Sequence, residues 1–397
     1  MARAFDLSAV QSAIRDAGFD GWLFYDFRGS DPIARSILRL DPSGHSTRRW
    51  YYWVPKSGEP KKLVHAIESA ALDSLPGTKR VYLSWQSLEE GLADMLAGRP
   101  RVAMQYSPGN QVPYVSRVDA GTIEVVRKLG AEPLSSGDIL QLFDAVLDEE
   151  GYASHERAAR VLGETVRDAF DHVGTTLRAG RTLDEAGLLA FVESRLREHG
   201  LVYDHPAIIG VNEHAADPHF EVPARGSAPI RKGDVLLLDV WAKEDRPGAI
   251  YADITWMAFI GDDPPREVLE VFGAALRARD AVIEAADRAF KGGADLRGFE
   301  LDRIARATIT EAGYGERFIH RTGHSIGEST HGNGANLDDL ETHDTRRILP
   351  GALFSVEPGI YLPGRFGVRT EVDVYHAGDR AVVTGVPRQT ELVRIVV

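Results

Sequence analysis

No cysteine occurs among the 397 residues. That absence excludes a disulfide framework, a thiolate nucleophile, a thiolate zinc site and an iron–sulfur cluster together. Any metal has to be held by oxygen and imidazole. No apolar run approaches the roughly 20 residues needed to span a bilayer, and Met1 to Asp20 lacks the apolar h-region of a signal peptide; the expected location is the cytoplasm, with no membrane partner. Basic residues are in deficit, 46 Lys and Arg against 59 Asp and Glu, for a net charge of -13. Such a chain repels a phosphate backbone unless it segregates a basic face, which argues against nucleic acid as a partner. What is present is an ordinary globular composition, 43% hydrophobic and 26% charged. It suffices for a large core without covalent staples, and the length suggests two or three domains.

The first part of the chain reads as α/β. Leu7 to Gly18 has apolar residues at helical spacing, and Gly21 to Tyr25, Trp50 to Val54, Lys62 to Ile67 and Val102 to Met104 read as strands. Ser87 to Gly98 reads as helix, and Gly121 to Lys128 as helix or strand. Gly130 to Gly137 is a Pro/Ser/Gly-rich connection and Ile139 to Glu150 a helix, with a domain boundary expected near Gly151. Two helices follow, His155 to Val173 and Thr182 to His199, the second with a capping box in which Thr182 is the N-cap and Glu185 stands at N3. From Ile208 the chain is strand-rich, with Asp263 to Phe290 and Phe299 to Ala312 as intervening helices, so the second part is α+β.

The second part repeats itself. Gly233 to Asp239 is a turn and an apolar strand ending in a carboxylate, and Gly351 to Glu357 has the same form. Beyond each lies a Gly-containing turn and another strand, the first carrying Asp253 and the second Glu371. The acid-to-acid spacing is 14 in both copies. In two unbulged antiparallel hairpins Asp239 would face Asp253 about Arg246, and Glu357 would face Glu371 about Gly364. Like charges directly opposed are destabilising, so a cation is expected between them.

Imidazole supports that reading. His320, His324 and His331 fall within twelve residues of a Gly-rich stretch without helical period, and His219 lies upstream. Four carboxylates and one imidazole suit a pair of Mn²⁺, Co²⁺ or Zn²⁺ ions with two acids bridging them. Ca²⁺ has no need of the imidazole, and Mg²⁺ seldom accepts one.

With Asp239, Asp253, His324, Glu357 and Glu371 in that order, the chain resembles the creatinase/prolidase/methionine-aminopeptidase group of pita-bread metallohydrolases, and within it the Xaa-Pro peptidases. Thr322 to Gly327 is similar to their TGHGIG motif, Glu357-Pro358-Gly359-Ile360-Tyr361 matches EPGIY, and Gly367 to Glu371 matches GVRxE. The resemblance covers nearly the whole chain. It implies an α/β creatinase-type N-terminal domain (1–150) followed by an α+β pita-bread catalytic domain with a dinuclear metal centre (151–397). It also implies that the five residues are the ligands of two divalent ions, Mn²⁺ first among them, with Asp253 and Glu371 bridging. Glu357 would be general base toward a metal-bridging hydroxide. His219 and His331 would be the substrate-side histidines, and Arg369 would bind the substrate carboxylate, order Glu371, or form a structural salt bridge. The implied substrate is a small peptide with Pro at the second position, cleaved as a dipeptide by a prolidase, or from longer peptides by an aminopeptidase P. The compact N-terminal domain favours the prolidase, and a homodimer is the family expectation.

The chain departs from the family pattern at four places. The stretch between the two aspartates is longer than usual. Ile250 stands where Tyr is usual, with Tyr251 displaced by one position. Thr255-Trp256-Met257 replaces TRT, and Gly332 stands where a Glu usually follows the second histidine. Other readings remain open at this point. Gly323 to Gly327 also satisfies GxSxG, with Asp373 and His376 in the chain order of a Ser325 triad, although Glu328 to Asn336 has two glycines and no helical period where that motif needs a helix. A non-catalytic pita-bread binding protein is a third reading, against which stands the retention of all five ligands. The loop Gly44 to Arg49 offers a further cation for a substrate carboxylate, or a solvated basic loop.

Overall fold

The computed structural model describes the chain except residues 1–3, 42, 43, 45, 99 and 223–225; His45 of the basic loop lies outside the described residues. Contacts divide the chain into two compact units, Met1–Asp144 and Ala145–Val397. Gly151, near which the sequence places a boundary, lies in the first turn of the helix Glu149–Arg178, where the Asp148 side chain caps the start by accepting the Gly151 N–H at 2.7 Å.

The first unit has strands β1 (Gly21–Asp26), β2 (Trp50–Pro55), β3 (Lys61–His65), β4 (Thr78–Tyr82), β5 (Arg101–Met104) and β6 (Glu132–Ser135). They form one mixed sheet in the order β4-β3-β2-β1-β5-β6. Alternation along β1 sends Trp22 and Phe24 to one apolar cluster and Leu23 and Tyr25 to another, so both faces of the sheet are covered. Two strands carry no legible sequence signal. β4 is an edge strand whose first four residues are exposed, and β6 lies in the stretch expected as a connection, its Pro133 tolerated at the other edge. Gly121 to Lys128 resolves as helix, Ala120–Lys128, capped by Asp119.

The expected helix Ile139 to Glu150 is not continuous. Gln141–Asp144 is one short helix and the next begins only at Glu149, because Val146 bridges to Ala352 and the Leu147 N–H donates to the Gly351 carbonyl at 2.9 Å. The capping box at Thr182 is also corrected. Asp184 is the N-cap of the helix Glu185–Glu198. Glu185 is buried and accepts the N–H groups of Val211 at 2.8 Å and Ala228 at 2.6 Å, with His214 Nδ1 at 2.9 Å. Three donors make its burial tolerable.

The second unit contains β7 (Leu201–Val202), β8 (Ile208–Val211), β9 (Val235–Glu244), β10 (Ala252–Ile260), β11 (Leu353–Val356), β12 (Gly359–Leu362), β13 (Phe366–Arg369), β14 (Val372–His376), β15 (Ala381–Val383) and β16 (Val393–Ile395). The hairpin β9–β10 is buried on both faces. Leu236, Leu238, Val240 and Ile254 pack with the helices Glu149–Arg178 and Glu185–Glu198. Val235, Leu237, Met257 and Phe259 pack with the helices Arg266–Lys291 and Gly298–Glu311 and with residues of β11 to β14. Asp239 and Asp253 share the parity of Leu237 and Met257, so both point toward the C-terminal strands.

The two expected acid pairings fare differently. In β9–β10, Asp239 opposes Thr255 and Asp253 opposes Trp241, so the aspartates are diagonal neighbours and do not face each other about Arg246. The turn closes so that Ala242 and Ala252 form the last pair. Because the shift is even, both aspartates keep their face. In the C-terminal pair, Val356 opposes Val372 and Gly359 opposes Arg369. That shared register sets Glu357 opposite Glu371, as the spacing predicts.

Candidate metal centre

Three ligand atoms of Asp253, His324 and Glu371 lie within 4.8 Å of one another, all buried. His324 arrives from the segment after Thr322, which is pinned because the Leu337 N–H donates to the Gly323 carbonyl at 3.0 Å, the Thr322 N–H donates to the Leu337 carbonyl at 3.0 Å and the Ser355 N–H donates to the His324 carbonyl at 2.8 Å. A Cβ at Gly323 would stand 2.0 Å from the Ser355 carbonyl oxygen, so only glycine permits that approach. The His324 ring Nδ1 is 3.2 Å from the Ser325 carbonyl. A carbonyl only accepts, so Nδ1 carries the proton and Nε2 presents its lone pair to the acids. Nε2 stands 3.6 Å from Asp253 and 3.4 Å from Glu357.

Each acid is oriented by a neighbour. The Asp253 N–H donates to Asp373 Oδ2 at 2.8 Å. Thr255 Oγ1 donates to Glu371 Oε2 at 2.7 Å, and Ser355 Oγ donates to Glu357 Oε1 at 3.2 Å. Asp239 pairs with the Arg369 guanidinium. Thr255, Ser355 and Asp373 were not singled out by the sequence as residues of a metal centre, Asp373 entering only as the acid of a Ser325 triad. Ser355 stands two before Glu357 and Asp373 two after Glu371, so the two-residue period of a strand could have placed both on the acid face.

Arg369 does not lie open to a substrate. Its Nε donates to Thr255 Oγ1 at 3.1 Å, one terminal nitrogen donates to Tyr361 Oη at 3.1 Å and to the Pro218 carbonyl at 3.3 Å, and the other holds Asp239. It is buried behind the acids and orders Asp239, where the sequence considered Glu371. His320 of the histidine group is likewise turned away, with Nε2 on Tyr361 Oη at 2.8 Å and Nδ1 on the Arg321 carbonyl at 2.7 Å. His331 is exposed at the edge of the cluster and meets the His324 ring edge-on at 4.3 Å. His219 is also exposed, its backbone N–H on Asp217 at 3.2 Å.

The electrostatics call for a cation. Burial first, then Glu371 and Asp239, push the Asp253 carboxyl well above the usual carboxylate range. Glu371 is pushed the same way by burial, Glu357 and Asp239. Glu357 is raised to about 7 by burial, with Arg369 opposing. Burial holds His324 well below its ordinary value, hence neutral. One oxygen each of Asp239 and Asp253 is buried without a hydrogen-bond partner, which costs on the order of 1–3 kcal/mol apiece for a polar atom and more for a charged one. Orphaned oxygens, massed negative charge and one neutral imidazole fit divalent metal.

The departures also find their places. Trp256 opposes Leu238 and belongs to the opposite face of β10, among the helix-packing residues. Ile250 and Tyr251 are buried in a small cluster with Ile326 and Leu353. At Gly332 a Cβ would come within 2.9 Å of Ser325 Oγ. That hydroxyl accepts the Gly334 N–H at 3.1 Å. No helix follows Ser325, and His376 is stacked on Phe290 at 3.5 Å, so the serine-hydrolase reading fails on both geometry and partners.

The sequence profile of metallopeptidase family M24 matches residues 153–376. This chain belongs to metallopeptidase family M24. The M24 relatives include a probable dipeptidase PepE of Mycobacterium tuberculosis, 28% identical over 334 residues that cover 83% of this chain and 81% of that protein. Among solved structures, dipeptidase PepE from Mycobacterium ulcerans superposes with a TM-score of 0.69 at 23% identity, over 98% of this chain and 97% of that one. An Xaa-Pro dipeptidase from Bacillus anthracis superposes with a TM-score of 0.62 at 20% identity, over 98% of both chains. These likenesses give the fold over both units. The second unit is a pita-bread domain of an M24 metallopeptidase, and the first is its α/β N-terminal companion. No helix among the described residues is long and apolar enough to cross a membrane.

Proposed function

We propose that the chain is an Xaa-Pro dipeptidase that hydrolyses the bond before proline with two divalent ions, Mn²⁺ first among the candidates, held by Asp239, Asp253, His324, Glu357 and Glu371 in the unit Ala145–Val397. The observation that carries the metal site is the convergence of Asp253, His324 and Glu371 within 4.8 Å, beside acids with unpartnered buried oxygens. The dipeptide substrate is supported by the relatives named above. When bound, the ions supply Lewis acidity and an activated water at neutral pH.

The chain's own residues do the rest. Glu357, 3.4 Å from His324 among the acids, is the general base of this reading: it takes a proton from the attacking water and passes it on. Arg369 and Thr255 hold Asp239 and Glu371 at fixed angles. His331, exposed with its ring against His324, and the exposed His219 are the substrate-side groups of this reading; they stabilise charge on the scissile oxygen and deliver a proton to the prolyl nitrogen as the C–N bond breaks. The state assigned to the molecule is a homodimer in the cytoplasm. Edge strand β4 supports self-association, since Val81, Leu83 and Trp85 are exposed apolar side chains beside an unpaired edge. Sedimentation velocity reads the dimer and cell fractionation the compartment.

The deciding experiment is hydrolysis of Ala-Pro, Ala-Pro-Ala and Ala-Ala by chelated protein and after Mn²⁺ is restored. Metal-dependent cleavage of Ala-Pro alone is the expected result. Cleavage of the tripeptide instead makes the enzyme an aminopeptidase P, and failure on all three peptides despite bound metal overturns the peptidase reading.

A further inference from the structure

The segment from Glu328 to Asn336, which carries His331, has neither helix nor strand. Its shape is therefore set by its tethers. Lys243 on β9 donates to the Glu328 carbonyl at 2.5 Å and lies 4.9 Å over the Tyr251 ring. Ser325 holds the far side, its carbonyl accepting the Gly332 N–H at 2.7 Å and its Oγ the Gly334 N–H at 3.1 Å. Asp204, in the connection between β7 and β8, supplies the third. Its carboxylate accepts the Trp241 indole N–H at 2.8 Å, and Thr330 Oγ1 lies 3.4 Å from both carboxylate oxygens.

Ser325 has a steric consequence for His331. A Cβ at Gly332 would meet Ser325 Oγ at 2.9 Å, and one at Gly334 would meet it at 2.5 Å. A side chain at the position directly after His331 therefore requires the Ser325 hydroxyl to move. No carboxylate stands at that position, and Asp204 is brought to the residue preceding the imidazole.

We propose that Asp204, anchored by Trp241, is a positioning residue that holds Thr330 and through it orients the His331 imidazole on the substrate side of the acid cluster. This rests on the reading of His331 as the substrate-side imidazole. Partners of this kind orient a working imidazole and typically matter by 10–100-fold, while an interaction made only during reaction lowers kcat and leaves KM alone.

Asp204→Asn preserves size and removes charge. The expected result on Ala-Pro is a kcat lowered about tenfold, KM within about twofold and metal content unchanged, with Asp204→Glu restoring most of the loss. Wild-type kinetics in Asp204→Asn, or equal losses in the Asn and Glu variants, overturn the proposal. In a Ser325→Gly/Gly332→Glu background, which places a carboxylate directly beside His331, Asp204→Asn is expected to cost less than about twofold; a full tenfold loss there overturns it. Amide hydrogen exchange across 328–336 needs no activity and separates this proposal from the peptidase reading. Asp204→Ala is expected to exchange faster than wild type in that segment alone, and unchanged exchange overturns the tether even if no peptide is cleaved.

Discussion

The two acid-bearing strand pairs of the second unit share a spacing and differ in construction. In β9–β10 both strands run unbroken past the acids, Asp239 sits opposite a threonine, and a buried arginine neutralises it. In the C-terminal pair the sheet breaks at the acids, between β11–β14 and β12–β13, and Glu357 lies opposite Glu371. Unbroken pairing keeps backbone groups satisfied but fixes the side chains diagonally. The break lets two glutamates oppose each other, with hydroxyls from Ser355 and Thr255 on their oxygens. An identical spacing in sequence therefore does not guarantee identical register, because turn length decides it; face membership, with its period of two, survives any even shift.

The comparison breaks most sharply by neutralising one acid at a time. Glu371→Gln and Asp253→Asn are expected to lower kcat on Ala-Pro about 10³-fold or more, with loss of bound metal. Asp239→Asn is expected to lose less, because Arg369 already occupies one of its oxygens. Metal analysis beside kinetics checks this, and equal losses at Asp239 and Glu371 would remove the distinction between the two pairs.

Arg369→Met tests the other half of the contrast. It leaves Asp239 buried and uncompensated in metal-free protein, at a cost of about 3–5 kcal/mol, measured by denaturant melts. Saturating Mn²⁺ should recover part of that loss, whereas a variant as stable as wild type without metal would show that the ion pair is not what holds Asp239.

Without metal, the same clustering makes stability fall as pH rises. Asp253 and Glu371 are raised well above ordinary carboxyl values and Glu357 to about 7, so the native state binds more protons than the unfolded chain across that window. By linkage, stability is highest below the unfolded values and declines as pH climbs through the native ones. Melting temperatures of chelated protein from about pH 5 to about pH 8 should fall more steeply for wild type than for Glu371→Gln, and the gain on adding Mn²⁺ should grow with pH. A wild-type slope no steeper than the variant's would be the contrary result.

Much of this centre was legible in the sequence, and the parts that were not have identifiable causes. The four acids were readable because two strand pairs carrying acids at equal spacing are improbable without a cation, and His324 was picked out from His320 and His331 by the motif it resembles. The second register was readable because its turn is symmetric about Gly364. The first was not, since the place where the nine-residue turn between Ala242 and Ala252 closes leaves no trace in composition. Arg369 sat inside a matching motif, yet its direction depends on Asp239, Thr255 and Pro218, which long-range packing alone brings near. β4 and β6 were missed because edge strands need no apolar alternation, and Glu185 was placed in a cap because its partners Val211 and Ala228 lie far along the chain.

The finest test of the face rule compares neighbours on one strand. Thr255 and Trp256 stand side by side on β10, and both belong to the stretch that departs from the family pattern. Thr255 is fully buried on the acid side, donating to Glu371 and accepting from Arg369; Trp256 packs on the helix side. Thr255→Val keeps the shape and removes both bonds, so an effect of about tenfold on kcat or metal affinity is expected, as for other groups that orient ligands. Trp256→Phe removes more volume but none of the site's bonds. It should cost about 1 kcal/mol of stability and leave kcat on Ala-Pro within about twofold. If the tryptophan variant lost activity as the valine variant did, alternation along β10 would not be what divides chemistry from packing in this strand, and Trp256 would have to be counted among the residues that shape the substrate site.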